Sequence, residues 1–213
     1  LGHAPRPPAM LRSAGRLGDV VFVSGTPGDS GGGLALELGK LGAPGGGPES
    51  ASAGQRASSA SAREAAASAQ DAAHYLRQRF HLPTPRVELG LKLRDYARAC
   101  IDVSDGLLGD AGKLAQASGC GVRLEWEKLP VSPQLVEVAG DTRARELCLS
   151  GGEDYELCFA VAPENIERMT RDLPPAHWGY AAIGVLGEAP GAVVTRGGTV
   201  MDFSHSGWDH FGS

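Results

Sequence analysis

The sequence predicts a mixed α/β domain in which helices cover a sheet of modest size. Strand-like and helix-like stretches alternate from Asp19 to Val200, the pattern of a layered domain with one core. Apolar residues fill 42 % of the 213 positions, and a compact chain of this length buries about 70 % of its extended surface. Gly (31) and Pro (14) together make about a fifth of the chain, which implies frequent turns rather than a collagenous or wholly disordered protein.

The elements follow in order. Asp19-Val20-Val21-Phe22-Val23-Ser24 is rich in β-branched residues and predicts a strand. The glycine-rich turn Gly25–Gly33 follows, then a short apolar helix over Leu34–Leu41. From Ala43 to Gln70, 22 of 28 residues are Gly, Ala, Ser or Pro, and no Leu, Ile, Val, Met or aromatic residue occurs. The first half of that insert is expected to be a mobile loop, because it has nothing to bury against its ordering entropy. The alanine-rich second half, from about Arg63, is expected to join a helix that runs through Tyr75 and Leu76. Pro83 and Pro85 stop it near Phe80.

Beyond them a helix is predicted over Val87–Tyr96, and a short buried strand over Ala99–Ile101 that Asp102–Gly106 breaks. Leu107, Leu108, Ala111, Leu114 and Ala115 recur at helical spacing up to Gly119. Val122–Trp126 alternates as a strand, and Ser132–Ala139 and Thr142–Cys148 read as helices. Tyr155–Val161 is a strand, Glu164–Arg171 a helix after Pro163, and Tyr180–Leu186 and Val193–Val200 the last strands. A sheet of four or five strands is expected, which the segment before Gly42 joins across the insert.

Composition excludes several function classes. Twenty basic against 25 acidic side chains leave a net charge of −5, so no positive field favours nucleic acid or an anionic membrane. No apolar run approaches the length of a membrane span, and no secretory signal is visible. Cys100, Cys120, Cys148 and Cys158 form no CxxC and sit among apolar neighbours, which suggests reduced core thiols and a cytoplasmic protein.

Four stretches could carry chemistry. In Asp102-Val103-Ser104-Asp105-Gly106 two carboxylates three positions apart could converge on a hard divalent cation, with Ser104 beside free helix N–H groups. The alternative is an Asx turn with Ser104 or Asp105 capping the helix. In Ser150-Gly151-Gly152-Glu153-Asp154-Tyr155-Glu156 two glycines permit close backbone approach to a ligand. The acids after them could hold a cationic group, or the stretch could be a polar turn into a solvated edge. If strand geometry already holds there, Glu153 and Tyr155 share one side, Asp154 and Glu156 the other. Gly25-Thr26-Pro27-Gly28-Asp29-Ser30 could form an anion nest, although it lacks the lysine and spacing of a P-loop. Trp208 and Phe211 near the end could pin the tail to the core, or an exposed Trp208 indole could stack on a cationic heterocycle.

These stretches, with Leu11–Gly15, Leu149–Leu157 and Gly207-Trp208-Asp209-His210-Phe211, resemble the carboxy-terminal portion of the bacterial thiamine-monophosphate kinase family. That family shares a superfamily with aminoimidazole ribonucleotide synthetase, selenophosphate synthetase and a hydrogenase-maturation protein. The resemblance implies a fold like the carboxy-terminal domain of aminoimidazole ribonucleotide synthetase. It also implies ATP-dependent phosphorylation of thiamine monophosphate to thiamine diphosphate, with Mg2+ as cofactor. Asp102 and Asp105 would be magnesium ligands, Ser104 would touch ATP, Glu153 would face thiamine, and Trp208 would pack on its rings. Transfer would be direct and in line, with no residue assigned as acid, base or nucleophile. The family's amino-terminal domain is expected to be missing here, leaving residues 1–213 as one carboxy-terminal-type domain with little activity alone. The full-length protein is expected to be a homodimer. A sister ATP-using synthetase, or a non-catalytic scaffold or partner domain, are the alternative readings.

Overall fold

Seven strands form a single sheet in the order β2-β4-β1-β5-β3-β6-β7. The computed structural model describes residues 10–41 and 60–203. In chain order the elements are β1 (Val20–Ser24), α1 (Asp29–Glu37), α2 (Ala60–His81), α3 (Val87–Leu93), β2 (Ala97–Val103) and α4 (Leu107–Ala117). There follow β3 (Gly121–Glu125), a 3-10 turn (Trp126–Lys128), α5 (Pro133–Ala139), α6 (Asp141–Ser150) and β4 (Glu156–Val161). The chain continues through α7 (Pro163–Asp172), α8 (Pro175–Trp178), β5 (Tyr180–Gly187), β6 (Ala192–Arg196) and β7 (Thr199–Met201).

β1 lies mid-sheet, antiparallel to both β4 and β5, so the segment before the insert does join the sheet. Only β3 and β6 pair parallel among the described strands. Alternation along β1 sends Val21 and Val23 into a core with Leu107, Leu114 and Leu149, from α4 and α6. Phe22 faces the other way. It stacks on its cross-strand partner Phe159 at 5.4 Å and joins Leu93 and Met169 under α3 and α7. A third cluster, including Leu36, Leu76, Leu135 and Leu147, glues α1, α2, α5 and α6 together. Trp126 is buried in the first core and Tyr180 in the second.

Several expectations need correction. The sheet has seven strands rather than four or five, partly because Gly197 and Gly198 fold the last segment into the β6–β7 hairpin. β2 does not stop at Ile101: its ladder with β4 continues to Val103↔Glu156, so Asp102 belongs to a strand and not to the bend. α3 ends at Leu93 rather than Tyr96, and Trp126 leaves β3 for the 3-10 turn. α1 begins at Asp29, five residues before Leu34, for a reason found in the site below. The insert's loop half lies outside the described residues, and its helical half belongs to α2. Among the described residues no helix is long and apolar enough to cross a membrane.

Candidate functional site

The bend between β2 and α4 is held by a residue the sequence reading gave no role. Asp110, in the first turn of α4, is 1 % exposed. Its Oδ2 accepts the backbone N–H groups of Ser104 (2.9 Å) and Asp105 (3.0 Å). Lys113 Nζ spans Asp105 Oδ2 at 2.6 Å and Asp110 Oδ1 at 2.9 Å. A signal for Asp110 existed in its spacing: it falls on the apolar stripe of Leu107, Ala111 and Leu114, where a carboxylate needs a partner. The capping alternative is overturned, since the residue before the helix is Gly106 and no side chain caps it.

The Gly151–Tyr155 loop lies directly on this bend. Glu153 N–H donates to Ser104 O and Tyr155 N–H to Val103 O, each at 2.9 Å. A Cβ on Gly152 would stand 2.7 Å from Ser104 O, so only glycine lets the two segments touch. Glu153 (φ 66°) and Tyr155 (φ 52°) are both left-handed, so the strand begins only at Glu156, yet Glu153 and Tyr155 still share the exposed side and Asp154 and Glu156 the buried one. Glu153 and Tyr155 stay exposed and share a 2.6 Å hydrogen bond. That bond first, then the Glu153 charge, pushes the Tyr155 phenol up.

Asp154 turns inward and is 0 % exposed. Its carboxylate accepts Gly28 N–H at 2.7 Å and Ser30 N–H at 3.1 Å, at the start of α1. The anion in the Gly25–Ser30 nest is thus the chain's own. Satisfying those amides is why α1 starts early. Burial pushes Asp154 up to about 7 against the pull of the two N–H bonds. Neighbouring Asp29, also raised by burial, accepts from Ser132, Thr26 and Tyr75 hydroxyls at 2.5, 2.6 and 3.0 Å. Glu156 is fully buried and held by Arg86 (2.7 Å, both oxygens), Arg79 (3.0 Å) and Ser24 (2.5 Å). A polar turn into a solvated edge is therefore the wrong description of Asp154 and Glu156.

A cavity of about 300 Å3 opens where these parts meet. Ser104, Asp105 and Gly151–Glu153 line it, bringing two of the predicted stretches to one site. Leu34 of α1 and Leu38 just past its end add apolar surface, while Lys40 and Arg143 add positive charge. Such mixed lining suits a small organic ion better than a purely apolar ligand. Asp102 does not line it, and its exposed side chain stands on β2 beside Cys100. Burial first, then the Asp102 charge, pushes that thiol up to about 12. Trp208 lies outside the described residues.

Magnesium takes oxygen ligands and commonly uses one or two carboxylates, completed by phosphate and water. Asp102 and Asp105 are exposed carboxylates of that kind. Among the described residues no three His, Cys, Asp or Glu side chains converge as a metal site. The donor set thus fits a metal–phosphate complex and not an all-protein cage.

Known proteins give this geometry a lineage. The family model described as "AIR synthase related protein, C-terminal domain" matches residues 16–197. A thiamine-monophosphate kinase of Salmonella typhimurium is 38 % identical over 213 residues, covering 99 % of this chain and 58 % of that relative. The crystal structure of thiamine-monophosphate kinase from Stenotrophomonas maltophilia K279a superposes with a TM-score of 0.69 at 33 % identity, covering 90 % of this chain and 54 % of that one. AaThiL complexed with AMPPCP and TMP gives 0.67 at 33 % identity, covering 95 % and 54 %. The motif resemblance leads to the same relatives, of whose length this chain spans little more than half. With the matching model spanning most of its residues and the mixed sheet under its helices, the chain belongs to the family of AIR synthase related protein C-terminal domains.

Proposed function

We propose that this chain is the carboxy-terminal part of a kinase that uses ATP to convert thiamine monophosphate to thiamine diphosphate. The observation that carries the reading is the meeting of Ser104, Asp105 and Glu153 on one cavity with a leucine-bearing wall. The likeness to thiamine-monophosphate kinases, and to AaThiL complexed with AMPPCP and TMP, supports that choice of substrates.

In this reading the Ser104 hydroxyl contacts ATP, because its backbone N–H is already committed to Asp110. Glu153 faces the cationic ring of thiamine while Leu34 and Leu38 cover apolar ring surface. Trp208 packs against the rings, an assignment that rests on the tail motif alone. Asp102 and Asp105 would hold Mg2+, which when bound neutralises phosphate charge. The chain's own contribution is positioning and exclusion of water, the larger part of catalysis in direct phosphoryl transfer. The remaining length of the relatives would supply further carboxylates and a dimer interface, so this chain alone would turn over little substrate. Four free cysteines accord with a reducing, cytoplasmic setting.

The test is thiamine diphosphate formation by the complete gene product that carries this chain. Glu153→Gln should lower kcat/KM for thiamine monophosphate by roughly tenfold to a hundredfold, with the KM for ATP little changed. No product from thiamine monophosphate, with turnover of formylglycinamidine ribonucleotide instead, would replace this reading with the sister-synthetase one.

A further inference from the structure

Of the three side chains at 153–155, two are exposed and one, Asp154, is sealed inside. Left-handed backbone at Glu153 and Tyr155 brackets it, a conformation that non-glycine residues hold only when surroundings impose it. The carboxylate reaches across to Gly28 and Ser30 at 2.7 and 3.1 Å. The next residue of α1, Gly31, lines the cavity with Gly151, Gly152 and Glu153. There the backbones are so close that a Cβ on Gly31 would lie 3.0 Å from Gly151 Cα.

We propose that Asp154 is a positioning residue, whose two carboxylate oxygens clamp the Gly151–Tyr155 loop to the first turn of α1 and thereby set where Glu153 meets the substrate. The proposal rests on the reading of Glu153 as a substrate contact. A buried carboxylate is an expensive tie. Asp29 and Glu156 add negative charge beside it, Cys148 of α6 faces it, and burial already raises its proton affinity. A neutral side chain of the same shape would avoid that cost. What it would lack is the second acceptor, since an asparagine NH2 must face one of the two amide donors. Stability and ligand affinity should therefore part company in Asp154→Asn, which a purely structural role would not produce.

The experiment uses the complete gene product and its Asp154→Asn variant, buffered above neutrality so that the parent carboxylate is ionised. Without ligand, amide hydrogen exchange over 28–31 and 151–155 should quicken in the variant, and unchanged exchange in both would overturn the clamp. By calorimetry, the Kd for thiamine monophosphate should rise about tenfold while the thermal midpoint holds within a few degrees of the parent. Equal affinity in parent and variant overturns the proposal. Loss of affinity only in step with loss of stability overturns it too. Failure of the parent to bind thiamine monophosphate would instead sink the proposed function, and the ligand-free exchange would still decide the clamp. Should the variant not fold, exchange in the parent decides: ligand must protect 28–31 and 151–155 together, and protection of 151–155 alone overturns the coupling.

Discussion

At the β2–α4 bend Asp105 leaves 58 % of its side chain in solvent, whereas in the loop resting on that bend and at the start of β4 Asp154 and Glu156 are wholly enclosed. The two regions share residue type and touch through Glu153 N–H and Ser104 O. Their difference lies in what satisfies each charge. Asp105 stands largely in solvent and shares an exposed ion pair with Lys113, a contact that an incoming cation can displace. Asp154 has two amides, and Glu156 has two arginines and a serine, all fixed by the fold. Exposed carboxylates here keep one side open to solvent. Enclosed ones hold the frame that presents them.

The largest effect that could break this contrast should come from Glu156→Ala. It removes the enclosed carboxylate that Arg79 and Arg86 share, leaving two partly buried guanidinium groups unpaired there, and should cost about 3 kcal/mol in a denaturant titration. A loss close to zero would mean that the network is incidental.

Next comes Asp110→Ala, which leaves the Ser104 and Asp105 amides without their acceptor and should cost about 2 kcal/mol. Binding of a nonhydrolysable ATP analogue, followed by calorimetry, should weaken with it. Asp110→Asn, which retains one acceptor oxygen, should lose less on both counts.

A shallower contrast spreads over several pH units. The folded Asp154 carboxyl sits at about 7 against 3.8 for the ordinary group, so the folded state binds the extra proton between those values. Its contribution to stability is complete below the lower value and is lost as pH rises through about 7. Unfolding free energies across that window should slope down with pH in the parent and less steeply in Asp154→Asn. Asp29, raised by the same burial, leaves some slope behind.

The smallest stability change belongs to Asp105→Asn, within about 0.5 kcal/mol because the Lys113 pair is half in water. Magnesium-dependent nucleotide binding should fall all the same. Unchanged binding would move the metal away from this bend.

Much of this was readable in advance. A run rich in β-branched residues marked β1, and Pro83 and Pro85 marked the end of α2. Gly152-Glu153 and Ser104-Asp105 stood out as chemistry-bearing pairs. What misled was locality. Leu34 looked like the start of α1 because Gly31-Gly32-Gly33 is a poor helix opening. The amides of Gly28 and Ser30 start it sooner by finding an acceptor 126 and 124 positions away in sequence. Likewise Asp102 looked like part of a turn until the β4 ladder claimed it as strand.

Sequence alone determined most of the elements, their order and the residue types that can meet phosphate, metal or an organic cation, because periodicity and turn chemistry act over a few neighbours. Tertiary structure alone decided which carboxylates face solvent and which are enclosed. That outcome depends on partners brought from distant segments: Arg79 and Arg86 for Glu156, and the first turn of α1 for Asp154. An acid's charge is written in the chain, but the cost of keeping that charge is set by what the fold places around it.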